Sequence, residues 1–361
     1  MIGRTLGGYF FRRYAVITAW NFVGIAALVF VVTFTEIAGR FGDLPGYSAQ
    51  WALGLAALQM PFIMQQVVPF IGLIAAMATL ISLNRKYELV VARAAGISAW
   101  QFLTPIALGA FVFGLFAVLV LNPVAATAFA KAQAVEAQVR GAKSRAGENK
   151  ERWIKQRTDA GETVIGAAAT LDGGTELVRP VFIVIDDSGN IVERLDAARA
   201  WLREGYWELR QVTRRRGNNA PERLESASVE TNLEPEFVSQ QLTQPEAVSI
   251  FDLPSKIEVA RSFGFRANDF AMHFHSLITL PPLLVAMTLI AATVSMRFAR
   301  MGLPVTVILG GIVAGFLLYV VSVLVKAFGS AGLVPPFVAA WMPVMVALFY
   351  GITFLLFKED G

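Results

Sequence analysis

The chain has 361 residues, 55% of them hydrophobic and 16% charged, with a mean hydropathy of +0.56, which is more apolar surface than one water-soluble core absorbs. It contains no cysteine, which excludes a disulfide framework and thiolate metal sites, and two histidines leave little for metal chemistry. The net charge of +4 is scattered near the ends of apolar runs and never forms the dense Lys/Arg tract of a nucleic-acid binder, so no nucleic acid partner is expected.

Six uncharged apolar runs lie near 14–34, 61–83, 100–121, 270–296, 303–325 and 336–357. Each is long enough to cross about 30 Å of hydrocarbon, which takes roughly 20 helical residues. Trp51, Trp100 and Trp341 stand near span ends, where an indole keeps its ring in the interface and its N–H wet. Arg4, Arg12 and Arg13 precede the first run as in a secretory signal, but the run is too long for a signal core and lacks a small-residue cleavage site, so an uncleaved anchor is predicted. Orientation follows from the basic residues of the short segments: Arg4, Arg12 and Arg13, then Arg85, Lys86 and Arg93, then Arg297 and Arg300. These segments are predicted to be cytoplasmic, with both termini. Arg40 and Lys326 then lie toward the other side.

From 122 to 268 the sequence turns mixed and polar, long enough to fold by itself. Residues 1–121 are therefore read as three spans, 122–268 as an inserted outer domain, and 269–361 as three more spans. The Ala-rich stretch 125–140 has charges at helical spacing and extends span three as a stalk. Short strands are predicted at 153–156, 163–167 and 181–185, with 191–192 returning across the turn Asp186-Asp187-Ser188-Gly189-Asn190. A second hairpin turns at Glu204-Gly205 between 198–202 and 206–212. With no helix-length apolar pattern between strands, the insert is predicted to be all-β, an antiparallel sandwich or jelly roll, followed by a short helix at 253–263. Its carboxylates, Asp186, Asp187, Glu204 and Glu208 among them, fall at turns or exposed strand positions. No catalytic or metal-binding fingerprint is present.

The most informative short segment is 84–96. Asn84 can cap a helix start, Gly96 can supply the left-handed residue at its end, and Leu89, Val90 and Val91 form about one turn of apolar surface. Two readings stay open: a coupling helix that enters a groove on a cytosolic motor, and an interfacial helix that only joins two spans. A second constellation is Glu36 and Arg40, at i and i+4 where span one ends, with a mutual ion pair as the plain reading. Lys326 at the end of span five is either a further cation for a ligand or a snorkelling lysine. His273 and His275 invite a proton-relay reading, but they lie in the first turns of span four and point to different helix faces. Gly311 and Gly315 allow a close helix approach at a subunit seam, and Pro281-Pro282 predicts a kink in span four.

The string Glu88-Leu89-Val90-Val91, the following Ala94-Ala95-Gly96 and the plan of three spans, β domain and three spans resemble the LptF/LptG family of lipopolysaccharide export permeases over essentially the whole chain. Trp153-Ile154-Lys155, Met301-Gly302, Gly332-Leu333-Val334-Pro335-Pro336 and the short segment after the last span are similar to the LptG branch more than to the LptF branch. The resemblance implies a bacterial inner-membrane, multi-pass permease subunit with a periplasmic jelly roll. It implies partnership with a homologous LptF-like permease, a dimeric cytoplasmic LptB-like ATPase, a single-span LptC-like protein and a periplasmic jelly-roll bridge, with lipopolysaccharide as cargo. It further implies that Arg85, Glu88, Leu89, Arg93 and Gly96 belong to the segment coupled to the ATPase. Arg40 would supply a cation for a lipid phosphate, with Glu36 orienting it and Lys326 complementing it. Gly141-Ala142-Lys143-Ser144 lacks the glycine spacing of a phosphate-binding loop, so ATP is expected to be used by the partner, and the chain to be a transport subunit without its own cofactor rather than an enzyme. A motor-independent membrane scaffold for envelope proteins is the rival reading. A secondary transporter is disfavoured, because the spans carry no central array of acidic residues.

Overall fold

The structure is a computed structural model that describes residues 4–42, 48–144, 152–158, 161–171, 175–185, 191–216, 220–231, 244–262, 267–295 and 305–359. Arg297, Arg300, Met301-Gly302 and the 186–190 turn lie outside the described residues. The chain divides into two compact units, residues 1–132 with 245–361, and residues 133–244.

The first unit is helical: α1 (Arg4–Phe41), α2 (Ala49–Arg85), α3 (Glu88–Ala94), α4 (Ala99–Phe116), the part of α5 (Asn122–Ser144) up to Ala132, α6 (Leu253–Ser262), α7 (Ala267–Ile278), α8 (Leu280–Ser295), α9 (Val305–Ser330) and α10 (Pro336–Glu359). Among the described residues, five continuous helices are long and apolar enough to span a membrane, and α7 with α8 makes a sixth span when taken as one element bent by 50°. The break falls at Thr279, just before Pro281-Pro282, whose missing N–H groups and ring bulk forbid a straight helix there. Helix starts are capped as their sequences specify. Ser48 accepts the Trp51 N–H at α2, and Ser98 with Gln101 forms a reciprocal capping box at α4. Span three passes through a π-helical turn, Ala117–Leu121, and continues as α5, the predicted stalk.

Helix α8 is the centre of the bundle. It packs on α2, α4, α9 and α10, and Leu284, Ala286, Met287, Thr288, Ala291 and Ala292 are fully buried. Small residues permit the close approaches that membrane helices need in the absence of a strong hydrophobic drive between them. A Cβ on Gly114 of α4 would sit 2.5 Å from the Pro281 Cα, and one on Gly351 of α10 would sit 2.7 Å from the Leu289 Cβ. Gly311 and Gly315 face Met77 and Leu73 of α2, so this pair seals a contact inside the chain. The expected subunit seam is corrected accordingly. By contrast the outward faces of α1, α9 and α10 carry Trp20, Leu317 and Phe349, exposed by 73%, 56% and 76%, as suits helices whose surroundings are hydrocarbon.

Among the described residues the second unit carries six strands, β1 (Arg152–Thr158), β2 (Gly161–Leu171), β3 (Glu176–Ile185), β4 (Ile191–Arg203), β5 (Tyr206–Arg215) and β6 (Glu222–Glu230). The all-β insert is as expected, and the described strands pair antiparallel strictly in chain order, β1 to β6. Two segments read separately in the sequence, 191–192 and 198–202, belong to the one strand β4, and β6 was not foreseen because its polar alternation, Glu-Arg-Leu-Glu-Ser-Ala-Ser-Val-Glu, carries a weak apolar signal. One face holds the core: Ile165, Leu177, Phe182, Leu195, Leu202, Trp207, Leu209 and Val212. A crease crosses the sheet with its register intact. Pairing runs Ala167↔Pro180 and Ala169↔Val178, then Ala197↔Val212 and Arg199↔Arg210, then Arg210↔Ser226 and Val212↔Leu224, skipping Arg179 and Gln211. Those two residues have left-handed φ of 47° and 55°, which breaks the extended pleat. The other face is ion-paired. Glu176 meets Arg199 at 2.9 Å, and Glu208, at the strand-surface position expected of it, lies 3.2 Å from both Arg203 and Arg210.

Candidate functional site

Two places in the helical unit collect polar groups that a membrane bundle has no packing reason to keep. The first surrounds α3. The predicted helix 85–96 is shorter, because α2 runs on through Asn84 to Arg85 and α3 begins only at Glu88. Asn84 therefore does not cap it. Tyr87 stands at the N-cap in a left-handed conformation, φ 58°, with no side-chain cap, an arrangement that costs a non-glycine residue about 1–2 kcal/mol. At the other end Gly96 adopts the expected left-handed φ of 79° and donates its N–H to the Arg93 carbonyl.

The two faces of α3 differ. Leu89 is 3% exposed and packs in the main core with Ala92 close behind, whereas Val91 is 66% exposed, as is Tyr87 before it, and Val90 is 38% exposed. The expectation of Leu89 as outward apolar surface is corrected: it anchors α3, contributing roughly 1.5–3 kcal/mol by burial, and the outward surface is Tyr87, Val90 and Val91. Arg85 is exposed at the end of α2, and Arg93 is partly buried. Glu88 is not free: its Oε1 accepts a hydrogen bond from the Tyr9 hydroxyl at 3.1 Å. Arg13 donates to that same hydroxyl at 3.0 Å and to the Ser82 hydroxyl at 2.7 Å. The N-terminal end of α1, the C-terminal end of α2 and α3 thus lie at one end of the bundle, which gathers Arg12, Arg13, Arg85, Lys86 and Arg93 there.

The second place is a cavity of about 530 Å³ toward the other end, between α2, α7, α8 and α9. Gln65 and Gln66 of α2, Asp269 and His273 of α7, and Ser322 and Lys326 of α9 face it, with Phe62, Leu280 and Tyr319 as apolar wall. Gln65 precedes Arg85 by twenty residues of unbroken helix, about 30 Å of rise, so the cavity and α3 are separated by roughly the thickness of the hydrocarbon layer. The Nε2 of His273 is buried there without a hydrogen-bond partner among the described residues, an arrangement that costs free energy unless a ligand or solvent supplies the partner. Asn122, 1% exposed, stiffens the wall: it donates to Gln65 at 3.4 Å and accepts the Ile250 N–H at 2.8 Å.

Of the residues singled out from the sequence, Lys326 lines the cavity and Glu36 and Arg40 do not. Those two pair with each other at the C-terminal end of α1, both about half exposed, the plain reading of their spacing. The histidines separate as their two-residue spacing requires, His273 into the cavity and His275 against Phe274 and Phe337, with ring centroids 5.6 Å apart in each case. Sequence reasoning gave His273 no ligand role and did not single out Gln65, Asp269, Tyr9 or Asn122. Only their polarity could have flagged Gln65, beside Gln66 within an apolar run, and Asn122, at the end of one.

No curated protein matches the chain. The family model of the lipopolysaccharide export system permease LptF/LptG matches residues 8–357, nearly the entire sequence, and the chain therefore belongs to the LptF/LptG family of lipopolysaccharide export permeases.

Proposed function

We propose that this chain is the LptG-type subunit of an ATP-driven exporter that lifts lipopolysaccharide out of the inner membrane. It works with a homologous LptF-like permease, a dimeric LptB-like ATPase and a single-span LptC-like protein. The observation that carries the reading is the split of α3, with Leu89 and Ala92 sunk into the bundle and Tyr87, Val90 and Val91 turned outward. An apolar turn held rigidly at the membrane surface is what a helix needs to enter a groove on a cytosolic motor. The cluster of basic residues at that end supports a cytoplasmic position for it and for both termini. The β unit is then periplasmic and passes acyl chains on, because hydrocarbon leaves a bilayer only when another apolar surface replaces it. A strand edge of its sheet joins the next jelly roll of the bridge by strand addition.

The cavity takes the phosphorylated head group. Lys326 supplies the charge and His273 a ring nitrogen that has no protein partner among the described residues. Arg40 is a secondary contact at most, since Glu36 already neutralises it and a phosphate would have to displace that carboxylate. The chain carries no hydrolytic role; ATP turnover belongs to the partner. Motion delivered to α3 narrows the cavity through α2, which is continuous from Arg85 to Gln65.

The test is reconstitution of the chain with the candidate second permease and ATPase in vesicles containing lipopolysaccharide. ATP-dependent release of lipid to a soluble acceptor is the expected result. Stable insertion with no ATPase association and no release would favour the motor-independent scaffold.

A further inference from the structure

We propose that Tyr9 and Arg13 are positioning residues that latch α1 to α3, so that displacement of α3 is delivered directly to the first span; this rests on the reading of α3 as the motor-facing helix. The Tyr9 hydroxyl stands between two charged groups, donating to Glu88 at 3.1 Å and accepting from Arg13 at 3.0 Å. Arg13 is itself fixed to α2 by its 2.7 Å bond to Ser82, and its guanidinium carbon lies 6.0 Å from the Tyr9 ring centroid. The chain of contacts therefore runs α2, α1, α3, through residues 69 and 79 positions apart in sequence.

A single exposed hydrogen bond would carry little force, because water competes for both partners. Three features make this one a mechanical link. Its acceptor is a carboxylate and its second donor a guanidinium, and charge-assisted bonds that share a central hydroxyl polarise one another. The donor ring sits on a packed helix: Phe10, beside Tyr9, is 1% exposed and Tyr14 is fully buried, so this end of α1 cannot shift without moving its core neighbours. And Glu88 is the first residue of α3, directly after the left-handed Tyr87, so the latch holds the helix at the joint about which it would turn. Leu89 and Ala92 seat α3 on the bundle; the latch decides which span follows when it moves.

The experiment uses the full transporter reconstituted with its ATPase and compares Tyr9→Phe with wild type. The ratio of lipid released to ATP hydrolysed is expected to fall at least threefold in Tyr9→Phe, with a smaller fall in Ser82→Ala, which frees Arg13. An unchanged ratio, whether both rates persist or both fall together, overturns the proposal. A second measurement needs no partner. The chain has no cysteine, so spin labels can be placed at Arg12→Cys and Ala94→Cys, both exposed, in the purified full-length protein. The distance distribution is expected to be narrow with Tyr9 present and clearly broader with Tyr9→Phe; identical distributions overturn the latch. If the wild-type assembly neither binds the ATPase nor releases lipid, the functional reading fails, and the label distances still decide the latch.

Discussion

Leu89 and Val91 stand two residues apart on α3 and face opposite ways, one 3% and the other 66% exposed. This separates two substitutions that look alike in the sequence. Leu89→Asp places an unpaired carboxylate in the core beside α2, and the protein is expected to lose about 3 kcal/mol or more of stability, seen as poor recovery from detergent and a lowered unfolding temperature. Val91→Asp leaves insertion and thermal stability unchanged and abolishes co-purification of the ATPase. A Val91→Asp variant that binds the ATPase as well as wild type would refute the assignment of the outward face.

The cavity distinguishes the two cations proposed for the lipid. Lys326 lines the cavity together with Asp269 and Glu246, whereas Arg40 lies outside it and is held by Glu36. Lys326→Gln should weaken lipopolysaccharide binding to the purified protein on the order of tenfold, the loss expected when a charge-assisted bond is removed. Arg40→Gln should cost less than threefold, and Lys326→Arg should restore most of the affinity. Equal losses at both positions, measured by lipid titration in detergent, would contradict this ordering.

The spans were legible in the sequence because hydrocarbon thickness sets a length that few soluble helices match, and the bend in the fourth was legible because Pro281-Pro282 leaves no straight alternative. The orientation of α3 was not. Leu89, Val90 and Val91 are consecutive, so all three cannot share a helical face, and which of them turns inward is decided by the left-handed Tyr87, which no pattern of apolar residues announces. The cavity was half legible. Lys326 stands out at the end of an apolar run, but Gln65 and His273 acquire meaning only when α2 and α7 are brought together, a long-range juxtaposition that periodicity along one helix does not encode. Similarly, Gly311 and Gly315 signalled a close approach, while the partner, Leu73 within the same chain, depended on the bundle's topology.

On the β unit, hydrogen bonds from Arg210 and Arg203 hold the Glu208 carboxyl below its ordinary range. A carboxylate with a lowered folded-state pKa adds stability that is present above the unfolded-state value and is lost as pH falls through the folded-state one. Because the pair is solvent-exposed, the effect on unfolding is small and is screened by salt. The direct measurement is a carbon-detected NMR titration of Glu208, whose midpoint should lie below the ordinary glutamate range and rise toward it in Arg210→Ala. A midpoint unmoved by that substitution would show that the arginine does not hold the charged form.

The crease in the sheet makes a prediction that runs against strand propensity. Gln211 is exposed and lies within β5, so replacing it with valine, a better strand former, would ordinarily be neutral or stabilising. Its φ of 55° reverses the sign, because a β-branched side chain in the left-handed region clashes with its own backbone. Gln211→Val is expected to destabilise the sheet by about 1–2 kcal/mol, whereas Gln211→Asn, which tolerates that region, leaves it unchanged. Hydrogen exchange in the full-length protein reads this locally: amides of β4 and β5 near Ala197 and Val212, which pair beside the crease, should exchange roughly tenfold faster in the valine variant, as 1.4 kcal/mol of lost protection implies. Slower exchange there in Gln211→Val would mean that the strand can straighten at no cost and that the crease is not held by this residue.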